Sequence, residues 1–357
     1  MARVSPHGPA HSFLSTLMIP QEKSEAVTRG LREAFGVIEF ENIRVIKDLA
    51  SSLVFRIVVQ GSPFLLKIST RATDPARYHA CTKAAADAGL SPRVWYTNNE
   101  DSISITDFVE AQPLPIPDAL VRLPTVLRKL HNLPPFARAP FNTTCTFLLN
   151  KGPALDGYLQ HFQAANILPK AASEEFFARY AEVAAVYPHD DVDLVSSHND
   201  LFKPDNILFD GQRIWLIDWE AAFLNDRYAD LAVVANQVVS NAEEEMVYLQ
   251  EYFGAAPDQY QRARFHLMQQ LAHLFYTMAF LYLGSSSQPI DWSGAVPEFS
   301  DYHRSMWAGE VDLADKDVKI VYGRVHWERL LHNVRQPRYS EALRIVADRH
   351  RTLSQPR

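Results

Sequence analysis

Cysteine is scarce in this chain of 357 residues: Cys81 and Cys145 are the only two, and they form no Cys-x-x-Cys pair. That excludes a multi-bridge disulfide framework and points to a reducing, cytoplasmic setting, with both thiols read as small buried hydrophobes. Glycine (13) and proline (22) are too few and too scattered for a fibrous or low-complexity protein. Cationic excess is also missing. Lys and Arg number 35 against 42 Asp and Glu, a formal net charge of −7, and no run of like charge stands out, so a nucleic-acid partner is not expected. Long apolar runs are absent too. The most apolar stretch, 271–283, contains His273 and follows Gln269 and Gln270, well short of the roughly 18 residues that span a bilayer, so it reads as a buried helix and no membrane partner is expected. The first residues carry only a small apolar patch at Phe13 and Leu14, so residues 1–18 are expected to be a disordered leader rather than a signal peptide.

What is present is a globular composition, 47% hydrophobic and 22% charged, over a length suited to two or three domains or lobes. Val27, Leu31, Ala34 and Phe35 recur at helical spacing before Gly36, which predicts an amphipathic helix over 24–35. Short β-rich runs follow at 43–46, 54–59 and 64–68, the last two joined by a turn at 61–63. Asp74-Pro75 opens a helix that runs through Ala88 to Gly89, and strands at 93–96 and 103–108 complete this region. Pro113, Pro115 and Pro117 then break the pattern, which sets an N-terminal lobe at 19–109 and a second lobe at 110–357. Helical periodicity dominates the second lobe: 120–130 with a kink at Pro124, 174–186, 229–239, 243–253, 259–283 and 340–349. Its exception is 194–219, where apolar runs at 207–209 and 214–217 flank Asp210-Gly211, a hairpin signal. There is no internal repeat.

The hairpin organises the chemistry. Asp200 and Asn206 stand just before it and Asp218 just after it, so three oxygen-bearing side chains are brought to one side of a loop. Phosphoryl transfer needs a carboxylate for the acceptor hydroxyl's proton and hard oxygen ligands for Mg²⁺ on the nucleotide phosphates.

The run His198-Asn199-Asp200-Leu201, with Ile217-Asp218-Trp219-Glu220-Ala221-Ala222, Asn225-Asp226 and Asp230-Leu231-Ala232, resembles the kinase-like small-molecule phosphotransferases, the aminoglycoside phosphotransferase and choline/ethanolamine kinase group. The order of strands, one helix, strands and a helical lobe is similar from about residue 24 to about residue 350. The resemblance implies a two-lobed α+β fold of the protein-kinase type, with Mg·ATP between the lobes. It implies transfer of the γ-phosphoryl group to a hydroxyl of a small, cationic molecule, choline/ethanolamine-like or aminoglycoside-like. Residue by residue, Asp200 would be the catalytic base, Asn206 and Asp218 the magnesium ligands, and Lys67 the strand lysine on the α/β-phosphates. Asp107 and Val109 would offer a carbonyl and an amide to adenine. His198 would prop the loop and Asp230 would cap its amides.

Three departures stand beside this resemblance. No glycine-rich loop covers the phosphates; Ser51 and Ser52 would have to do the cradling. Asp200 and Asn206 are six positions apart where kinase loops have five, so either one residue bulges or Asp205 joins the metal site. The helix after Asp74 offers no obvious glutamate for Lys67, whose partner stays unassigned. Glu220 is open among a metal role, a cationic acceptor and plain solvation. Among the aromatics, Phe275, Tyr276, Phe280 and Tyr282 read mostly as core, which leaves Trp219, Trp292 and Trp307 as candidates to cage a cationic acceptor. His131 reads as packing, and the cluster His189, Asp190, Asp191 and Asp193 as a solvated connector. Rival readings are a nucleotide-binding pseudokinase acting through partners, and a protein kinase, the latter disfavoured because no Ala-Pro-Glu segment follows Asp218. Oligomeric state is not legible.

Overall fold

The computed structural model describes residues 18–49, 51–70, 74–138, 153–188, 194–286, 290–292 and 294–353. Cys145, the acidic connector at 189–193 and nearly all of the expected leader lie outside the described residues. The chain divides into two compact units. One comprises Met1–Gln112 with Trp215–Glu220, the other Pro113–Ile214 with Ala221–Arg357.

The first unit is built on an antiparallel sheet. Helix α1 (Ser24–Phe35) ends on Gly36, whose φ of +73° and N–H bond to the Arg32 carbonyl make a left-handed stop. Strands β1 (Asn42–Leu49), β2 (Ser52–Val59), β3 (Ser62–Ser69), β4 (Val94–Asn98) and β5 (Ile103–Asp107) are ordered β1-β2-β3-β5-β4. The β2–β3 turn is tighter than the sequence suggests: Val59 faces Ser62, and Gln60 and Gly61 both take positive φ, the geometry that matches strand twist in a two-residue hairpin. Pro63 therefore lies in the strand, opposite Val58. Alternate residues of the central strands, including Ile57, Leu66, Ile68, Ile103 and Ile105, bury completely with Val27 and Leu31 of α1. Helix α2 (Pro75–Asp87) is capped as expected, the Asp74 side chain accepting from the Arg77 N–H at 3.1 Å.

Residues 215–220 join this first unit for a local reason. The Leu216 N–H donates to the Leu90 carbonyl at 2.8 Å, and the Trp219 indole N–H reaches Ser91 Oγ at 3.2 Å.

The second unit is mostly helical: α3 (Ile116–His131, with Pro124 inside it), α4 (Pro153–Ala164), α5 (Lys170–Val186), α6 (Arg227–Val238), α7 (Ala242–Phe253), α8 (Gln259–Ser285), α9 (Phe299–Trp307), α10 (Lys316–Val334) and α11 (Pro337–Leu353). Strands β6 (Leu194–Ser197) and β9 (Phe223–Asp226) pair antiparallel, with Ser197 opposite Phe223. Strands β7 (Ile207–Phe209) and β8 (Ile214–Leu216) form the expected hairpin, its turn tied by Asp210 Oδ1, which accepts from the Gln212 and Arg213 N–H groups. Helix α8 starts on a capping box between Asp258 and Gln261 and is the central column of the unit. It lies so close to α10 that a Cβ on Gly323 would meet the Leu281 side chain at 2.8 Å, and one on Gly284 the Lys316 carbonyl at 2.8 Å. Glycine is required at both points by space rather than by backbone conformation. Helices α4, α9 and α10 and strands β6 and β9 escape a reading of periodicity alone. The α10 segment interleaves Arg324, His326 and Arg329 with its apolar residues, and β6 and β9 are only four residues long.

Candidate active site

In the first unit the sheet presents Lys67, on β3 opposite Val54 and Ser104. Its ammonium donates to Asp218 Oδ1 at 2.9 Å and to Glu220 Oε1 at 2.8 Å, and lies 4.8 Å from the Tyr78 ring centre. Burial by itself would lower the lysine pKa; Tyr78, Asp218 and Glu220 outweigh it and hold the group above the ordinary range, so the ammonium stays charged. The missing partner of Lys67 is thus supplied by residues 218 and 220. Helix α2 contributes an aromatic face in place of a carboxylate. Asp218 has φ of +69°, a conformation uncommon for a residue with a side chain, and such strain concentrates where function demands a fixed direction. Arg77 donates to the Glu220 carbonyl at 2.8 Å, which steadies the other end of this short segment.

Ser52 is buried at the start of β2 and Ser51 is exposed in the turn before it, its carbonyl accepting from the Thr70 N–H at 2.9 Å. The Asp107 carboxylate accepts from the Trp95 indole N–H at 2.6 Å, and Val109 follows β5 as a half-buried residue. Trp219 is completely buried, with its N–H also near the Leu216 carbonyl at 3.3 Å. It is core, and a cation could not reach its face. Trp307 donates its indole N–H to the Leu114 carbonyl at 2.7 Å, and Arg324 lies 5.4 Å from the Trp292 ring centre, so the Trp292 ring already faces a cation of the chain's own.

In the second unit the chain leaves β6 at Ser197 and turns through His198, fully buried, and Asn199, which has φ of +64°. Two devices hold this turn. Asp230, on the first turn of α6, accepts the His198 and Asn199 N–H groups, each at 2.8 Å, one on each carboxylate oxygen. Asn199 donates to the Ala221 carbonyl at 2.9 Å and accepts from Asn225 at 2.6 Å. Burial would raise the Asp230 carboxyl, but His131 at 3.3 Å and the His198 N–H prevail and hold it below the usual carboxylate range. His131 is fixed in turn by the Tyr252 hydroxyl at 2.7 Å, a packed histidine as its sequence context suggests.

Asp200 follows directly. Asn206 donates to its carboxylate Oδ2 at 3.0 Å and to its carbonyl at 2.7 Å, and the Lys203 ammonium lies 3.6 Å from the same Oδ2. The sixth position between Asp200 and Asn206 is absorbed by a 3₁₀ turn over Pro204–Asn206, closed by the Asn206 N–H on the Lys203 carbonyl. Asn206 turns inward and is buried, whereas Asp205 is exposed on the outside of the turn.

Asp200 opens into a cavity of about 190 Å³ whose walls include Phe202, Phe275, Tyr276, Phe280 and Leu283. Tyr276 and Phe280 lie in the hydrophobic core as periodicity predicts, and with the half-buried Phe275 they also line this pocket. The sequence signal that could have found them is the i, i+1, i+5 spacing of Phe275, Tyr276 and Phe280, with Ala272 and Ala279 leaving room.

Residues 42–266, which hold both the Lys67 strand and the Asp200 loop, match the model of the phosphotransferase enzyme family. The chain belongs to this family. As a phosphotransferase it shares its fold with several solved structures. A choline/ethanolamine kinase family protein from Mesorhizobium loti is 20% identical, with a TM-score of 0.63 over 91% of this chain and 99% of that one. A choline kinase from Cryptosporidium parvum is 13% identical, with a TM-score of 0.56 over 89% and 99%. A spectinomycin phosphotransferase, in complex with ADP and spectinomycin, is 15% identical, with a TM-score of 0.50 over 84% and 97%. No curated protein matches the phosphotransferase. Among its described residues no helix is long and apolar enough to cross a membrane.

Proposed function

We propose that this phosphotransferase moves the γ-phosphoryl group of ATP to a hydroxyl of a small molecule. The observation that carries the reading is the way Asp200 is held: its loop amides are pinned by a buried carboxylate and its side chain is oriented by Asn206. A carboxylate fixed in this way is suited to orient the acceptor hydroxyl and take its proton. The hydroxyl oxygen forms a bond to the γ-phosphorus as the bond to the β,γ-bridging oxygen breaks, and ADP leaves. Lys67 holds the α/β-phosphates. Its two carboxylate partners are partly exposed, so the ammonium exchanges one set of anionic oxygens for another without being left bare in a buried site. Ser51, exposed in the β1–β2 turn, serves the phosphates, while Ser52 is buried at the start of β2, and the Asp107 carbonyl and Val109 amide serve the adenine.

Asn206 and Asp218 would supply hard oxygen donors of the kind Mg²⁺ takes. An ion held by them would supply positive charge against the nucleotide phosphates.

The names of similar structures make choline, ethanolamine and aminoglycosides the first acceptors to try. The test is Mg·ATP-dependent release of ADP across a panel of small hydroxyl compounds, with Asp200→Asn as the control. Acceptor-dependent release that vanishes in the variant is the expected result. Undiminished turnover in Asp200→Asn would remove the mechanism.

A further inference from the structure

The cavity beside Asp200 constrains the acceptor, and this step rests on the phosphotransfer reading just given. Its walls are mostly aromatic and aliphatic, Phe202, Val233, Phe275, Tyr276, Phe280 and Leu283 among them, with Asn199 and Asn225 as the neutral polar lining. The only carboxylates among its described lining residues are Asp200 and Asp230. Asp230 has both oxygens engaged by the His198 and Asn199 amides, with His131 at 3.3 Å. Asp200 has Asn206 and the Lys203 ammonium beside it. A polyamine sugar needs several carboxylates for its ammonium groups, and this pocket does not contain them.

A quaternary ammonium would instead seek aromatic faces. Here one ring of the wall already serves another cation: Lys203 Nζ lies 5.1 Å from the Phe202 ring centre. Phe202 also packs against Phe280 edge-on, with centroids 5.5 Å apart at 71°, and against Tyr276 at 5.2 Å. A second positive charge in that corner would meet the first.

We infer that the phosphoryl acceptor is an uncharged alcohol with an apolar body, bound with its hydroxyl at Asp200 and its body against Phe275, Tyr276 and Phe280. The −7 charge of the whole chain does not bear on this choice, because the carboxylates nearest the pocket are committed.

The test uses benzyl alcohol and cyclohexylmethanol as probes beside choline and kanamycin. Binding of each probe to the full chain is followed by calorimetric titration, and Mg·ATP-dependent ADP release is measured in parallel. Saturable binding of the two neutral alcohols is expected. Ala279→Leu, which fills the cavity, should weaken that binding about tenfold or more, while Ala279→Ser, of nearly native volume, retains it. In turnover, kcat/KM for the neutral alcohols should exceed that for choline and kanamycin by about tenfold or more. A higher kcat/KM with choline or kanamycin would overturn the acceptor class and leave phosphotransfer standing. No saturable binding of either neutral alcohol would overturn it as well. Neutral alcohols that bind and respond to Ala279→Leu, with no ADP released and no Mg·ATP bound, would instead remove the phosphotransfer reading on which the inference rests.

Discussion

Lys67 in the first unit meets two carboxylates within 2.9 Å and the face of a tyrosine, whereas Asp200 in the second unit borders an apolar cavity in which the other carboxylate, Asp230, is tied to backbone amides. The lysine cluster is dense in charge and partly open: the Asp218 and Glu220 side chains are 37% and 51% exposed. Exposed carboxylates release a cation at little cost, so the cluster suits an exchange of one anion for another. The aspartate cavity is the reverse. It has little uncommitted charge and many aromatic surfaces, so it discriminates by shape and by exclusion of charge. An acidic overall composition therefore says nothing about what the second region accepts, because carboxylates in the two regions are committed to different tasks.

That contrast can be broken most sharply at Asp200. Asp200→Asn keeps the volume and removes the proton acceptor, and should lower kcat by roughly 10²- to 10⁴-fold with nucleotide affinity unchanged, as read by ADP release and by nucleotide titration. Asp218→Asn should do the opposite, weakening Mg²⁺-dependent nucleotide binding first. If both variants changed the same parameter, the division of labour would fail. Next comes Asp230→Asn, which leaves the His198 or Asn199 amide facing an NH₂ group in a fully buried site. A lost hydrogen bond to a charged group costs about 1.5–3 kcal/mol, so chemical denaturation should show a drop of that order together with reduced kcat. Smaller still is Glu220→Gln. Lys67 keeps Asp218, so nucleotide affinity should change by about tenfold while kcat for the acceptor step holds. A hundredfold loss of kcat would instead place Glu220 in the reaction.

Much of this arrangement is legible in the residues. The helix from Ser24 to its stop at Gly36, the Asp74-Pro75 helix start and the Asp210-Gly211 hairpin carry local signals strong enough to survive tertiary packing. The acidic loop residues are legible by type and spacing, whereas the amide-capping role of Asp230, 31 and 32 positions further along the chain, is legible only through the family resemblance. Other features depend on contacts distant in sequence. The partners of Lys67 are 151 and 153 positions away, and no pattern in α2 announces that residues 218 and 220 replace a helix glutamate. Trp219, at the centre of the most informative motif, is buried, because an indole three positions from a strand can turn into the core as readily as toward a ligand. The pocket wall on α8 is hidden for a related reason. Aromatics at helical spacing look alike whether they face a core or a cavity, and only the packing of Phe202 and Tyr322 against them decides the matter.

A last effect, of acid rather than of substitution, concerns the histidines beneath that wall. His273 and His326 approach at 2.9 Å between Nδ1 atoms, so one ring donates while the other accepts, and His303 bonds the Phe299 carbonyl at 2.8 Å. Burial, reinforced by Arg329, holds His273 well below the ordinary histidine value; burial lowers His303 to about 4 despite its bond to Phe299, and burial with His273 lowers His326. All three are neutral in the folded chain at pH 6, whereas the unfolded chain begins to protonate them near pH 6.5. The unfolded state then binds more protons, so stability is full above pH 6.5 and is lost as pH falls toward the folded values. Each such histidine contributes about 1.4 kcal/mol per pH unit once well below 6.5. Between pH 7.5 and 6 the loss should be under about 1 kcal/mol per histidine, and it should steepen by pH 5. Urea denaturation at pH 7.5, 6 and 5 measures it directly. Because the rings of Tyr276 and Tyr322 lie 5.0 and 4.7 Å from His326, acid should loosen the aromatic wall before it affects the Lys67 cluster, whose lysine stays charged throughout. Binding of benzyl alcohol should therefore weaken at pH 5 while nucleotide binding persists. Equal loss of both would mean that the two regions do not respond separately to acid.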